Sequence, residues 1–288
     1  MTDPRTAENK KLDPEESYQS NQVLNPDDWL PEEDAKRLTS RTSRRGFLIA
    51  AGAGIAAVSG WQWLRTRPND DGIPWPLRKV LNLNGNVAGA LSPLSRLSPE
   101  YSKSQARMPR ANGTIGLENE LGIDWALNVF GLTDPAKPIT LSLSDIQALP
   151  RVEMVTRLCC IEGWSEVVHW AGARVSDLAA RFPLATADAR LLSSPHPNIN
   201  TAAYLSAMTP DGEYFVGLDM KSALHPQTLL CYEMNGQPLE PIHGAPLRLT
   251  VPVKYGIKSL KCVGALRFTN QRPPDYWAMR GYDYYAGL

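Results

Sequence analysis

The residues best suited to chemistry fall into three groups. The first is Arg157-Leu158-Cys159-Cys160-Ile161-Glu162-Gly163-Trp164-Ser165, followed by Trp170-Ala171-Gly172-Ala173-Arg174. A cysteine beside tryptophan can be a small buried core residue, or, as a thiolate, a ligand for a soft metal. Its place just before a Gly-Trp turn, with two polar groups downstream, turns the reading toward the ligand. Those groups are His243-Gly244-Ala245-Pro246-Leu247-Arg248 and Tyr255-Gly256-Ile257-Lys258-Ser259-Leu260-Lys261. They supply what a cofactor ending in a phosphate needs: a planar donor fork in Arg248, a point charge in Lys258, and backbone N–H groups near Gly256 that no side chain screens. His243 adds a further donor. Standing alone, Arg248 and Lys258 would read as surface cations at strand ends.

In this order and spacing the three groups resemble the molybdopterin-binding domain of the sulfite oxidase family. That family's signature is an arginine, then Cys-x-Glu-Gly-Trp, then Trp-x-Gly, matched here by Arg157, Cys160, Glu162, Gly163, Trp164, Trp170 and Gly172. The resemblance implies a molybdenum-molybdopterin cofactor, with Cys160 as the metal ligand and catalytic centre. Cys159 takes a position the family does not use, and neighbours on an extended strand point to opposite faces, so the two cannot address one metal in the same way. Asn112, Arg157, His243, Arg248, Gly256, Ile257 and Lys258 are the implied cofactor contacts, and Ser193 and Ser194 lie near another. The implied reaction is two-electron oxygen-atom transfer on a small sulfur-type substrate, sulfite or a sulfoxide, with the protein supplying position and electrostatics. No C-x-x-C-H haem motif occurs, so electrons would be exchanged with a separate redox partner, such as a cytochrome or haem-bearing membrane protein. Animal and plant members add a C-terminal dimerisation domain. The resemblance here runs from Asn112 to Asn270, 18 residues before the end, so a single catalytic domain and a monomer are expected. The competing reading is an exported, non-catalytic binding protein that keeps the fold without metal.

The elements that must position these groups are short. Trp125 to Phe130 is strand-like and ends at Gly131. Ser144 and Gln147 have capping-box spacing, which predicts a short helix closed by Pro150. Val175, Leu178, Ala179 and Phe182 form one apolar helical stripe. Beyond Leu191 strand and turn signals dominate, with Asn235-Gly236 suited to a type I′ hairpin. Asp70 to Asn112 reads as irregular chain, rich in Pro, Ser and Asn, wrapping the surface. The sum is an α+β domain of mixed sheets and short helices from about residue 70 to 288. Tyr276, Trp277, Tyr282, Tyr284 and Tyr285 form either an aromatic lid on its core or a substrate cage. His169 and His225 read as packed or surface residues, and Cys231 and Cys262 as a possible disulfide in an oxidising compartment.

Residues 1–45 carry ten acidic and eight basic side chains with little to bury, and predict a solvated tail. Five of the last ten, Lys36 to Arg45, are basic, and the uncharged run Gly46 to Leu64 follows. A positive flank before an apolar run predicts an export signal or membrane anchor. Arg44-Arg45-Gly46-Phe47-Leu48 resembles the twin-arginine signal of proteins exported already folded, which implies the twin-arginine translocation machinery as a partner and the periplasm, or the outer face of the cytoplasmic membrane, as destination. Gly52 to Ala57 formally fits a dinucleotide-binding pattern but lacks the strand, helix and distal acid that pattern requires. Composition closes other routes. The chain of 288 residues has 30 basic and 30 acidic side chains, which disfavours nucleic acid, and its four cysteines cannot form a dense disulfide framework. H-E-x-x-H, P-loop and G-x-S-x-G motifs are absent, so zinc peptidase, nucleotide triphosphate and serine esterase chemistries lack their parts.

Overall fold

The computed structural model describes residues 31–91, 93, 95–117, 125–192 and 200–288. The chain divides into two compact units, Met1–Trp63 and Leu64–Leu288.

From residue 32 on, the described residues of the first unit belong to the helix α1, Glu32–Arg65, whose last two residues open the second unit. Three acids, Glu32, Glu33 and Asp34, occupy its first turn, where they complement the helix dipole, and Lys36 pairs with Glu32 one turn on. These local interactions carry the helix back into residues 32–45, which the charge pattern alone assigned to a solvated tail. Ser43–Arg65, 23 residues with its apolar stretch exposed, is long and apolar enough to cross a membrane.

The second unit holds two five-stranded sheets. Its chain order is β1 (Asn69–Asp70), β2 (Ile73–Pro74), α2 (Trp75–Leu91), β3 (Leu127–Phe130), β4 (Ile139–Leu141), α3 (Leu143–Gln147), β5 (Arg151–Cys159), β6 (Ser165–Arg174) and α4 (Val175–Arg181). There follow β7 (Tyr204–Met208), β8 (Phe215–Asp219), α5 (Met220–Ala223), β9 (Leu229–Met234), β10 (Gln237–Pro238), β11 (Arg248–Thr250) and β12 (Ala265–Thr269). One sheet runs β4-β3-β12-β7-β8, antiparallel except for the β3/β12 pair. The other runs β10-β9-β6-β5, with β11 also on β9. The main core takes alternate residues from both sheets: Val129, Leu205, Leu218 and Phe268 from the first, Ala173, Leu230, Tyr232 and Leu249 from the second. On the other face of β9, Leu229 and Cys231 join Trp170 and Met154 in a smaller cluster.

Several local expectations meet their structure here. Val175, Leu178 and Ala179 are buried on α4, with Phe182 packed at its end. Asn235 and Gly236 take the paired positive φ of 53° and 78° that a type I′ turn requires between β9 and β10. The short helix before Pro150 forms, but its cap is Ser142 with Asp145, two residues earlier than Ser144 with Gln147. The chain after Asp70 is not irregular, since α2 adds a helix of 17 residues. Asn and Gly lower its intrinsic propensity. A tertiary contact outweighs this, because the fully buried guanidinium of Arg78 donates to the carbonyls of Asp70, Asp71, Ala278 and Tyr282. No disulfide joins Cys231 to Cys262; both are free thiols, buried in separate packing environments, Cys231 within β9 and Cys262 in the turn before β12. Ser193 and Ser194 lie outside the described residues.

Candidate active site

The paired strands β5 and β6 end in the loop that presents Cys160. Cys159 pairs with Ser165 at the last rung, and Cys160 N–H donates to the Trp164 carbonyl at 2.8 Å. Gly163 N–H donates back to the Cys160 carbonyl at 3.2 Å, and Gly163 has φ of 91°, a conformation that disfavours any side chain. Further along β6, Trp170 is fully buried and Gly172 meets β9 so closely that a Cβ would lie 2.1 Å from the Leu230 carbonyl oxygen. Trp170 and Gly172 therefore set how β6 packs on β9, and with it the aim of the Cys160 loop.

Cys160 lines a cavity of 170 Å³. Asn112 closes one side, its amide donating to Cys160 Sγ at 3.5 Å and to Glu162 Oε2 at 3.2 Å. Trp164 Nε1 donates to the same carboxylate oxygen, also at 3.2 Å. Two cations face the cavity from another side, Arg248 at the start of β11 and Lys261. Lys261 Nζ donates to the carbonyls of Asn112 and Gly113 at 2.7 and 2.9 Å, which ties the asparagine segment to the cationic wall. Burial, reinforced by Arg248, pulls the Lys261 amine down to about 8. Gly256 and Ile257 complete that wall, in a tight turn that packs on the Cys159 carbonyl.

Arg248 is almost wholly buried and lies over the Trp170 ring, 5.1 Å from its centroid. One terminal nitrogen donates to the His243 carbonyl at 3.1 Å, but its Nε has no partner among the described residues, nor has His243 Nδ1. Burial without a counter-charge pulls the guanidinium down to about 10. An unneutralised buried guanidinium is costly, and an anion held beside it in the cavity would offset that cost. The residues thus fit a cofactor with a thiolate-bound metal at one end and a phosphate at the other.

Three expected contacts fall elsewhere. Lys258 points away from the cavity: fully buried, it forms an ion pair with Asp275 and donates to the Gly217 carbonyl at 3.0 Å. Its charge is already neutralised, and Lys261, not singled out as a contact from sequence, supplies the cavity's amine. Arg157 shares a face of β5 with Cys159, opposite to the one that leads into Cys160, and lies over the ring of Tyr101. His243 backs Arg248 and does not line the cavity. His169 and His225 are buried packing residues; His169 Nε2 lies 3.1 Å from Glu153.

The C-terminal aromatics divide between the cavity lining and the interior. Trp277 and Tyr282 line the cavity with Tyr214, and Trp277 Nε1 donates to the Tyr214 hydroxyl at 3.0 Å. That hydroxyl donates to the Ile257 carbonyl at 2.7 Å, and burial raises its pKa far above the usual phenol value. Tyr284 instead covers Lys258 and Arg272 in the interior, and Tyr285 packs on Gly85 of α2.

Residues 116–277 match the family model described as the oxidoreductase molybdopterin binding domain. The protein-methionine-sulfoxide reductase catalytic subunit MsrP of Ralstonia nicotianae is 29% identical over 92% of this chain and 83% of its own length. The subunit of the same name from Campylobacter jejuni is 35% identical over 57% of each chain. Among solved structures, the sulfane dehydrogenase SoxCD of Paracoccus pantotrophus aligns at 22% identity with a TM-score of 0.42, covering 54% of this chain and 40% of that one.

Proposed function

Because the chain belongs to the oxidoreductase molybdopterin binding family, we propose that it is the catalytic subunit of an exported sulfoxide reductase system. The observation that carries this reading is the cavity that brings Cys160 together with three cations, Arg110, Arg248 and Lys261, and an aromatic wall, in a chain similar to MsrP over most of its length. The molybdenum-molybdopterin cofactor supplies the two-electron oxygen-atom transfer. Cys160 is the thiolate that binds the metal, a soft donor for a soft centre. Arg248 and Lys261 hold the pterin phosphate, with the Gly256-Ile257 backbone beside them. Asn112 orients the Cys160 sulfur through its amide and keeps Glu162 within the same hydrogen-bond cluster.

Reduction of a sulfoxide consumes two electrons and two protons and yields a thioether and water. Glu162 is the carboxylate that lines the cavity, its Oε2 held as an acceptor by the Asn112 amide and the Trp164 indole. Trp277 and Tyr282 take the methyl and methylene groups of the substrate, since sulfur packs favourably against aromatic rings. Electrons come from a separate haem-bearing membrane partner. Arg44 and Arg45 direct folded export, the protein acts as a monomer outside the cytoplasmic membrane, and Ser43–Arg65 is its signal or anchor.

The test is turnover by the purified molybdenum-loaded protein. Reduced viologen should be oxidised on addition of methionine sulfoxide. Oxidation of sulfite by ferricyanide, with no sulfoxide reduction, would replace this reading by the sulfite-oxidising one.

A further inference from the structure

A second cavity, of 470 Å³, opens on the opposite face of the strand that leads to Cys160. Leu158 and Cys160 line the first cavity, whereas Arg157 and Cys159 line the second, as alternation along β5 requires. The function proposed above uses neither Arg157 nor Cys159. Three cations, Arg96, Arg157 and Lys221, line this cavity, with no aspartate or glutamate among its lining residues. Among the described residues none of the three belongs to an ion pair.

Two of these cations, Arg157 and Lys221, are anchored without being neutralised, and the third, Arg96, is exposed on a tethered segment. Arg157 lies 5.3 Å from the centroid of the Tyr101 ring, and Lys221 Nζ donates to the Gly89 carbonyl at 2.7 Å. The segment carrying Arg96 is held from α5's flank: His225 Nε2 lies 3.1 Å from the Arg96 carbonyl, and Gln227 exchanges hydrogen bonds of 2.7 and 2.9 Å with Ser98. His225 Nδ1 accepts from the Gln227 N–H, so the ring carries its proton on Nε2 and is neutral. Much of the remaining wall is apolar, Leu97 and Val253 included. Three cations of one sign grouped around one opening, with no acidic side chain among the lining residues, concentrate positive potential, and an anion that enters gains charge-assisted hydrogen bonds.

We propose that this cavity is a second binding site, for a small organic anion whose carboxylate or phosphate is held by Arg96, Arg157 and Lys221 and whose apolar part rests on the aliphatic wall. The site is separated from the cofactor cavity by the Cys159-Cys160 strand end, and does not depend on which sulfur compound is the substrate.

The experiment uses molybdenum-loaded protein, so that the pterin phosphate site is filled. Hexanoate and inorganic phosphate are titrated calorimetrically, and occupancy is located by the rate at which iodoacetamide modifies Cys159, read by mass spectrometry. Hexanoate should bind, more tightly than phosphate, and slow the modification of Cys159 while leaving the buried Cys231 and Cys262 unchanged. Arg96→Ala and Lys221→Ala, both at exposed positions compatible with the fold, should each weaken hexanoate about tenfold or more through loss of a charge-assisted contact. Arg96→Lys should restore part of that loss. No binding and no protection by either anion up to roughly 10 mM, or binding that both alanine variants leave unchanged, would overturn the proposal. So would protection of Cys159 by polyglutamate but not by hexanoate, which would make the cavity a docking point for an acidic protein segment.

Discussion

Lys258→Ala separates a structural lysine from a cofactor-binding one. In the folded chain the Lys258 amine and the Asp275 carboxylate are each about 1% exposed and form an ion pair. Removing the amine leaves a buried carboxylate that still accepts from the N–H groups of Gly217, Trp277 and Ala278, at 3.1, 3.2 and 3.0 Å. Breaking a buried pair from one side costs about 3 to 5 kcal/mol, and the three remaining donors place this case at the low end, about 3 kcal/mol. For a domain of this size that corresponds to a fall in Tm of roughly 6 to 12 °C. The measurement is thermal and urea unfolding of protein made without cofactor, so that loss of ligand cannot mimic loss of stability. Lys258→Met combined with Asp275→Asn should recover most of the loss, because no unpaired charge stays buried. Lys261→Ala should change stability by less than about 1 kcal/mol but lower molybdenum content in protein made with cofactor. If Lys258→Ala unfolds like the wild type and yet is purified without molybdenum, the structural role is wrong and the lysine grips the cofactor.

Three other outcomes follow from the site and the N-terminal helix. Cys160→Ser should retain pterin and lose turnover, whereas Cys159→Ser should keep turnover; the reverse pattern, by pterin fluorescence and viologen oxidation, would exchange their roles. Burial holds the Lys261 amine down to about 8, and only its protonated form attracts phosphate. Cofactor affinity of the empty site should therefore be full below that pH and decline as pH rises through it, while Lys261→Arg should stay flat over the same range in a reconstitution titration. Arg44→Lys with Arg45→Lys preserves charge and alters only cation shape, so folded, molybdenum-loaded protein should accumulate inside the cell; unchanged export in a fractionation assay would point to an ordinary secretion signal or anchor.

Much of the fold could be read from patterns that local physics fixes. The Asn235-Gly236 hairpin needs only its turn geometry, and α4 needs only one apolar stripe, so both were legible. Helix α2 was not, because its signal is a contact between Arg78 and carbonyls some 200 residues away in the chain. The short α3 was placed correctly but given the wrong cap, since Ser142 and Ser144 both fit a capping pattern three residues ahead of an acid or amide. The end of the charged tail was misjudged for a related reason: composition treats acids as solvating, whereas Glu32, Glu33 and Asp34 sit where a helix terminus favours them.

At the site, strand parity carries more information than motif membership. Cys160 follows directly on β5, and residues two apart on a strand share a face. Placing Cys160 toward the cofactor therefore places Leu158 there too and turns Arg157 and Cys159 to the other side, which is where the second cavity lies. The alternation argument that chose between the two cysteines already excluded Arg157 from the cofactor cavity. The lysines resist the same treatment. Lys258 closes the tight turn begun at Gly256, and Lys261 lies beyond it in irregular chain, so no simple period relates their directions. Their assignment turns on Asp275, an acid that no local pattern connects to the turn. Once Asp275 neutralises one lysine in the interior, the other is left to face the orphaned Arg248, and two cations without an acid of their own on that wall are what a phosphate requires.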